Sequence, residues 1–391
     1  MTAPALPHDL IRPRWGEATL ADVMPAVLAA LGVTEGPVGR LGIEPGARFV
    51  VLLIDGLGAV DLREHAGAAP YLTSLPTTVL TAGFPSTTVS SLTSLATGLP
   101  SGEHGLPGYT TWEAERRQVV GWLGWRPVGS PEDLREVLPP EEVQPRATVW
   151  ERAEAAGVAT AVVNGRHFEG SGLTRAAFRG GRYVGVVSDG DSVAAVATAA
   201  DRGHRSLVYA YLPQLDLMGH VHGPGSEPWL AELTLVDRYV ELLASRLPAG
   251  TTLLVTGDHG MVAVDPAEAV DADEPSVGDA LRRDVVAIAG EPRMRHVHTV
   301  PGAAADVLVT WRSVLGPGGF VIAGGDAVEL GLFGPVVTPA SRRRIGDVLA
   351  LARAGAAVVQ SRRESRMAAM PGHHGSLTER DLLVPLVVAS A

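Results

Sequence analysis

No cysteine occurs among the 391 residues. That excludes a disulfide framework, a thiolate zinc ribbon, an iron–sulfur cluster and a thiol nucleophile. Lysine is absent too. All 32 basic residues are therefore arginine, and Schiff-base chemistry has no side-chain amine to use. Asparagine occurs once, at Asn164. Long apolar runs are missing: Phe49–Ile54 spans six residues, whereas a membrane helix needs about 18. Met1–Arg14 has no apolar stretch of the kind a secretory leader uses, so a cytoplasmic protein without a membrane partner is expected. Positive charge is the minority sign, 32 residues against 43 acidic ones, for a net charge of -11. A basic face for nucleic acid is not expected from that balance, because phosphate neutralisation needs clustered positive charge. With 46% hydrophobic and 19% charged residues the chain is too apolar for intrinsic disorder and long enough to bury most of its apolar surface.

What is present is a recurring pattern. Arg48-Phe-Val-Val-Leu-Leu-Ile54 is a short apolar run that stops at Asp55-Gly56. Such a run reads as a strand buried on both faces. Similar runs occur at Ala159–Val163, Ser206–Leu212, Thr251–Val255 and Leu383–Val388. Helical spacing marks Leu20–Leu31, Thr148–Ala156, Glu227–Ser245 and Ile345–Arg353. Strands alternating with helices predict an α/β fold with a doubly wound, mostly parallel sheet. Tyr109–Glu142, rich in Trp, Pro and Glu, reads as an insertion. A second stretch has its own strand–helix–strand pattern at Val285–Ala289, Ala303–Val314 and Phe320–Ala323. The expected division is a catalytic α/β domain over residues 1–264 and 340–391, carrying a small α+β cap over residues 265–339.

The polar clusters sit at strand ends, where open α/β sheets bind ligands. One run ends Ile54-Asp55-Gly56, another is followed by Asp216-Leu-Met-Gly219-His220, and a third ends Thr256-Gly257-Asp258-His259-Gly260. Pro371-Gly372-His373-His374-Gly375 precedes the last strand. Three carboxylates at one sheet edge repel one another unless cations hold them together. Histidine and carboxylate without thiolate suits Zn²⁺, with Mn²⁺ or Fe²⁺ as alternatives. Four such ligands do not fill two sites. Asp55 and a C-terminal histidine bring the set to six, enough for two divalent metal ions with open positions. Read singly, each feature is ordinary: an Asp after a strand is a turn or cap residue, and a lone His is commonly just hydrogen-bonded.

Phe84-Pro85-Ser86-Thr87-Thr88 opens a hydroxyl-rich stretch that runs through Ser91 to Thr97-Gly98. It reads as a helix N-cap, and equally as an anion site whose hydroxyl can attack phosphorus.

In this order the motifs resemble the alkaline phosphatase superfamily, and within it the type I phosphodiesterase/nucleotide pyrophosphatase family. The motifs are a strand ending in Asp55, Phe84-Pro85-Ser86 running to Thr97-Gly98 and His104-Gly105, and Asp216-x-x-Gly219-His220 with Gly223-Pro224 behind it. Asp258-His259-Gly260 and His374-Gly375 complete them. The resemblance implies an alkaline phosphatase-like fold and a phosphoric ester hydrolase. It implies Thr88 as nucleophile, with Thr87 the alternative if the register slips. It further implies one metal on Asp55, Thr88, Asp258 and His259, and a second on Asp216, His220 and His374. His374 is preferred to His373 because the family's ligand directly precedes Gly; His222 is not expected to bind. Where the family usually has Asn three residues after the nucleophile, this chain has Ser91, taken as a catalytic donor with a shorter reach. The implied substrate is a small phosphorylated molecule, a nucleotide among the candidates. A phosphomonoesterase, a phosphonate hydrolase and a non-catalytic metal-binding protein on the same fold are the competing readings. Tyr109, Trp112, Trp122 and Trp125 could stack on a nucleobase or serve as core, and Arg166 and His167 could approach the site. Arg293, Arg295, His296 and His298 alternate like one face of an exposed strand.

Overall fold

A computed structural model describes residues 5–34 and 39–390. The first four residues of the Met1–Arg14 segment lie outside that description. The central sheet has seven strands. From one edge they are Thr77–Thr81, Leu383–Ser390, Thr251–Thr256, Arg48–Ile54, Ser206–Leu212, Ala159–Gly165 and Arg182–Val186. The five strands from Thr251–Thr256 to Arg182–Val186 pair in parallel. Leu383–Ser390 runs against both of its neighbours. The mostly parallel α/β sheet expected from the sequence is therefore the fold.

Alternation along Arg48–Ile54 shows why its apolar run is continuous. Phe49, Val51 and Leu53 belong to one core, which also contains the helices Leu20–Ala30, Thr88–Thr97 and Val149–Ala155. Val50, Leu52 and Ile54 belong to the other core, with the helices Asp189–Ala200 and Glu227–Arg246. A strand covered on both faces has no polar side to show in its pattern.

Tyr109–Glu142 contains a three-stranded antiparallel sheet of Thr110–Glu113, Gln118–Gly121 and Arg126–Pro127. The later inserted unit has a four-stranded antiparallel sheet and its own core around Ile288, Val297, Trp311 and Val348. One of its strands is Val348–Ala352, inside the Ile345–Arg353 stretch expected to be helical. This run of Val, Leu and Ala has helical propensity, but it fills the gap between Met294–Thr299 and Gly319–Ala323 and pairs with both. Two ladders of tertiary hydrogen bonds override a weak local preference. The unit's sheet thus draws on chain beyond residue 339. Arg293 and Asp381, both fully buried, form two 2.8 Å bonds that tie the unit to the C-terminal segment. Among the described residues no helix is long and apolar enough to cross a membrane.

Candidate functional site

Asp55 follows the Arg48–Ile54 strand and is 3% exposed. Gly56 turns the chain at φ +75°, and a Cβ there would meet the Cα of Asp216 at 3.0 Å. The Asp55-Gly56 turn and the start of the Asp216 helix therefore touch at backbone level, which only glycine permits. Asp258 follows Thr251–Thr256. Its Oδ1 accepts from the N–H of Gly56 at 3.0 Å and of His259 at 3.1 Å, leaving Oδ2 without a hydrogen-bonded partner. Asp55 Oδ2 accepts from the Tyr211 hydroxyl while Oδ1 is unpartnered. Asp216 and His220 lie on the helix Gln214–His222, four residues apart and so on one face.

The three histidines share one arrangement. His220 Nδ1 donates to Gly372 O at 2.7 Å, His259 Nδ1 to Gly260 O at 3.0 Å, and His374 Nδ1 to Ser86 O at 2.9 Å. A proton committed to a carbonyl at Nδ1 leaves the Nε2 lone pair free, as a metal-ligating histidine requires. His259 Nε2 lies 3.4 Å from Asp55 Oδ1, 3.4 Å from Asp258 Oδ2 and 3.2 Å from Thr88 Oγ1. Asp216, His220 and His374 offer ligand atoms within 4.8 Å of one another, and so do Asp55, Asp216 and His259. Asp216 belongs to both groups. All seven residues singled out as ligands from the sequence converge here. His374, rather than His373, joins Asp216 and His220; His373 Nε2 is buried without a partner.

The charges are uncomfortable as they stand. Burial pushes the Asp55 carboxyl well up, and Asp258 and Asp216 push it further. Burial also raises Asp216 and lowers His374 well below the usual imidazole range, helped there by His259 and His220. Buried carboxylate oxygens with no proton donor and imidazole lone pairs pointed at them form a donor set for cations. The residues present therefore fit divalent metal ions.

Thr88 is the first residue of the helix Thr88–Thr97, with Thr87 at its cap. That helix is rich in hydroxyls, and most are used internally. Ser90 donates to Leu106 O, Thr93 to Val89 O and Thr97 to Thr93 O, while Ser94 pairs with His104 Nε2. Thr87 Oγ1 and Ser91 Oγ are buried and have no hydrogen-bonded partner. Orphaned hydroxyls cost about 1–3 kcal/mol each. They stand on either side of Thr88 at the positive end of a helix, where an anion is favoured.

A cavity of about 200 Å³ opens onto Thr88, Asp216, His220 and His374. Tyr109 and Glu291 also line it. Sequence reasoning passed over Glu291, although it closes the apolar Val285–Ala289 run much as Asp55 closes its own. Glu291 is 3% exposed and lies 3.8 Å from His374 Nδ1. Burial pushes its carboxyl up to about 8, and the nearby Thr87 hydroxyl and Arg295 guanidinium oppose that rise. Gly375 makes room for it: a Cβ there would sit 2.6 Å from Glu291 Cγ.

Other candidates lie elsewhere. Trp122 and Trp125 are fully buried and stack edge to face at 4.8 Å, so they are core and no base can reach them. Trp112 lines a separate cavity with Glu142 and Arg344. Arg166 and His167 line another, and its wall residues Tyr211 and Leu212 also touch Asp55. The Met294–Thr299 strand is buried rather than exposed. Arg293 and Arg295 pair with Asp381 and Glu364, and His296 bonds Pro107 O and the Gly346 N–H.

Residues 49–377 match the family described as type I phosphodiesterase / nucleotide pyrophosphatase. The chain belongs to that family. As a member of the type I phosphodiesterase family it is a phosphoric ester hydrolase. A solved structure of mouse ectonucleotide pyrophosphatase / phosphodiesterase 5, an inactive form in complex with AMP, is similar to it. The TM-score is 0.66 at 16% identity, covering 87% of each chain. Phosphonoacetate hydrolase from Sinorhizobium meliloti, in complex with phosphonoformate, superposes with a TM-score of 0.64 at 18% identity, covering 88% of this chain and 90% of that one. At such identities the likeness is one of fold. The human GPI ethanolamine phosphate transferase 3 catalytic subunit is 36% identical over 61 residues, 16% of this chain and 6% of that protein.

Proposed function

We propose that this phosphodiesterase-family protein cleaves phosphodiester or pyrophosphate bonds of a small phosphorylated substrate, a nucleotide among the candidates, through a phospho-threonine at Thr88 beside two divalent cations. The observation that carries the reading is the convergence of three carboxylates and three Nε2 lone pairs on the helix start that bears Thr88. Asp55, Thr88, Asp258 and His259 would hold one cation and Asp216, His220 and His374 the other, with Asp216 in reach of both groups. The His and carboxylate set favours Zn²⁺. Bound there, the cations would lower the pKa of the Thr88 hydroxyl and offset charge on the phosphoryl oxygens.

The chain's own groups supply the rest. Thr88 Oγ1, its proton lost to water, attacks phosphorus in line; the Oγ1–P bond forms as the bond to the leaving oxygen breaks. Thr87 and Ser91 offer hydroxyl donors to the phosphoryl oxygens. Water then attacks the phosphorus and returns Thr88 as a hydroxyl. Tyr211 and the backbone N–H groups of Gly56 and His259 keep Asp55 and Asp258 oriented throughout.

The test is metal content by elemental analysis with turnover of a p-nitrophenyl phosphodiester, before and after chelation, for wild type and Thr88→Ala. About two metal ions per chain and hydrolysis that vanishes in Thr88→Ala while the metal is retained would support the reading. A protein that binds no metal under any condition would overturn it. Ser91 favours one second reading, since a hydroxyl replaces the amide the family usually presents. A phosphonate or a phosphomonoester is then the substrate, and turnover of those alone would establish it.

A further inference from the structure

A second cavity, of about 460 Å³, adjoins the reaction cavity and shares Tyr109, Met367 and Met370 with it as common walls. The two differ sharply in charge. No arginine lines the reaction cavity. The second is lined by three, Arg126, Arg363 and Arg366. Among the described residues none of these guanidiniums has an ion-pair partner, in a chain whose net charge is -11. The acid between two of them, Glu364, is taken up by buried Arg295 at 2.7 Å. The loop that carries Arg363 is pinned through its backbone. Ser361 N–H donates to Asp271 and Arg362 N–H to Asp273, so Arg363 is positioned without using its side chain. Burial, Glu364 and Glu291 raise the Tyr109 hydroxyl at the wall between the cavities, and Arg366 opposes them.

Resting on the hydrolase reading above, we propose that this arginine-lined cavity binds a second anionic group of the substrate, a phosphate or carboxylate. The group attached to the scissile phosphorus crosses the ridge of Tyr109, Met367 and Met370 and ends in that anion. The ridge is aromatic and thioether, so the connecting part is apolar or planar. Guanidinium is suited to the far end because its planar fork binds phosphate and carboxylate in pairs of hydrogen bonds. A concave cluster of one sign also raises the local concentration of the oppositely charged ligand. Surface arginines are common, and singly they would mean little. Three converging on one concavity that shares walls with the reaction cavity constitute a binding site.

The experiment uses three p-nitrophenyl alkyl phosphodiesters whose alkyl tails end in methyl, carboxylate or phosphate, with the metal-loaded full chain. Wild type should favour both charged tails over the neutral one by about tenfold in kcat/KM, carried by KM, the scale of one charge-assisted hydrogen bond. In Arg363→Ala/Arg366→Ala that ratio should fall to near one. Arg202→Ala, on the loop at the opposite end of the sheet, should keep it. A ratio near one in wild type, or an undiminished ratio in the double variant, overturns the proposal. A stronger preference for phosphate or for carboxylate tells the two anions apart. Turnover of none of the esters would count against the phosphodiester reading instead. Calorimetric binding of the same esters to metal-loaded Thr88→Ala then decides the cavity: charged tails that bind no more tightly than methyl would sink it.

Discussion

His259 and His374 stack face to face, with ring centroids 3.5 Å apart and planes 11° from parallel. One follows the Thr251–Thr256 strand and the other precedes Leu383–Ser390, so two distant segments of chain meet in this pair. Each gives its Nδ1 proton to a backbone carbonyl. Two protonated rings at this separation would repel, and burial with His259 nearby keeps His374 neutral. Each ring turns its Nε2 towards the cation site.

The choice between adjacent histidines follows. His374→Ala should lose about one of two metal equivalents and at least about 100-fold in activity. His373→Ala should retain both equivalents. Elemental analysis of the two purified variants checks this, and equal metal loss in both would count against the assignment.

Asp55 is held in the protein under protest. Burial and two neighbouring carboxylates raise its pKa, so its charged form destabilises the metal-free fold at neutral pH. Asp55→Asn should therefore stabilise the metal-free protein by about 1 kcal/mol or more while abolishing activity, the trade expected at a strained functional site. Denaturant unfolding with chelator present reads the first effect, and p-nitrophenyl ester turnover the second. A metal-free variant less stable than wild type would refute the repulsion.

Ser91 Oγ is fully buried and unpartnered, so its removal should not cost stability. If it donates to the phosphoryl group, Ser91→Ala should lower kcat by about 10² with KM little changed. Steady-state kinetics beside a melting curve separates the two roles, and unaltered kcat would assign Ser91 no part in the reaction.

Two core histidines predict acid sensitivity. His104 takes the Leu106 N–H at Nδ1 and meets Ser94 at Nε2; His296 takes the Gly346 N–H at Nδ1 and gives to Pro107 O at Nε2. Both are accommodated only as neutral rings, and burial lowers each to about 3 from 6.5. The unfolded chain takes up these protons first. Stability is thus intact above pH 6.5 and falls as pH drops towards 3, by up to about 1.4 kcal/mol per pH unit for each histidine. Denaturant midpoints across that window should show it, and His104→Gln should flatten the slope by about one proton's worth.

The motif loops were legible because strand ends in an open α/β sheet collect polar ligands, and each loop keeps its glycine beside its acid. Asp55-Gly56 and Asp258-His259-Gly260 needed only their local order to be found. Glu291 was not legible, since nothing near it in the chain says that Gly375 will leave room for it beside His374. Trp122 and Trp125 read equally as base-stacking surface or as core, because their burial depends on the fold of their insertion. Val348–Ala352 looked helical because its partners, Met294–Thr299 and Gly319–Ala323, lie far away in sequence.

By itself the sequence determined the α/β class, the family and the identity of the seven convergent residues. The class follows from continuous apolar runs and glycine turns, and the seven residues from the family resemblance that the motifs carry. Only the tertiary structure decided that Asp216 reaches both groups and that Thr87 and Ser91 keep free hydroxyls. It alone set Arg126, Arg363 and Arg366 around one cavity. Those facts depend on which distant backbone comes within 3–4 Å, and long-range packing sets that distance.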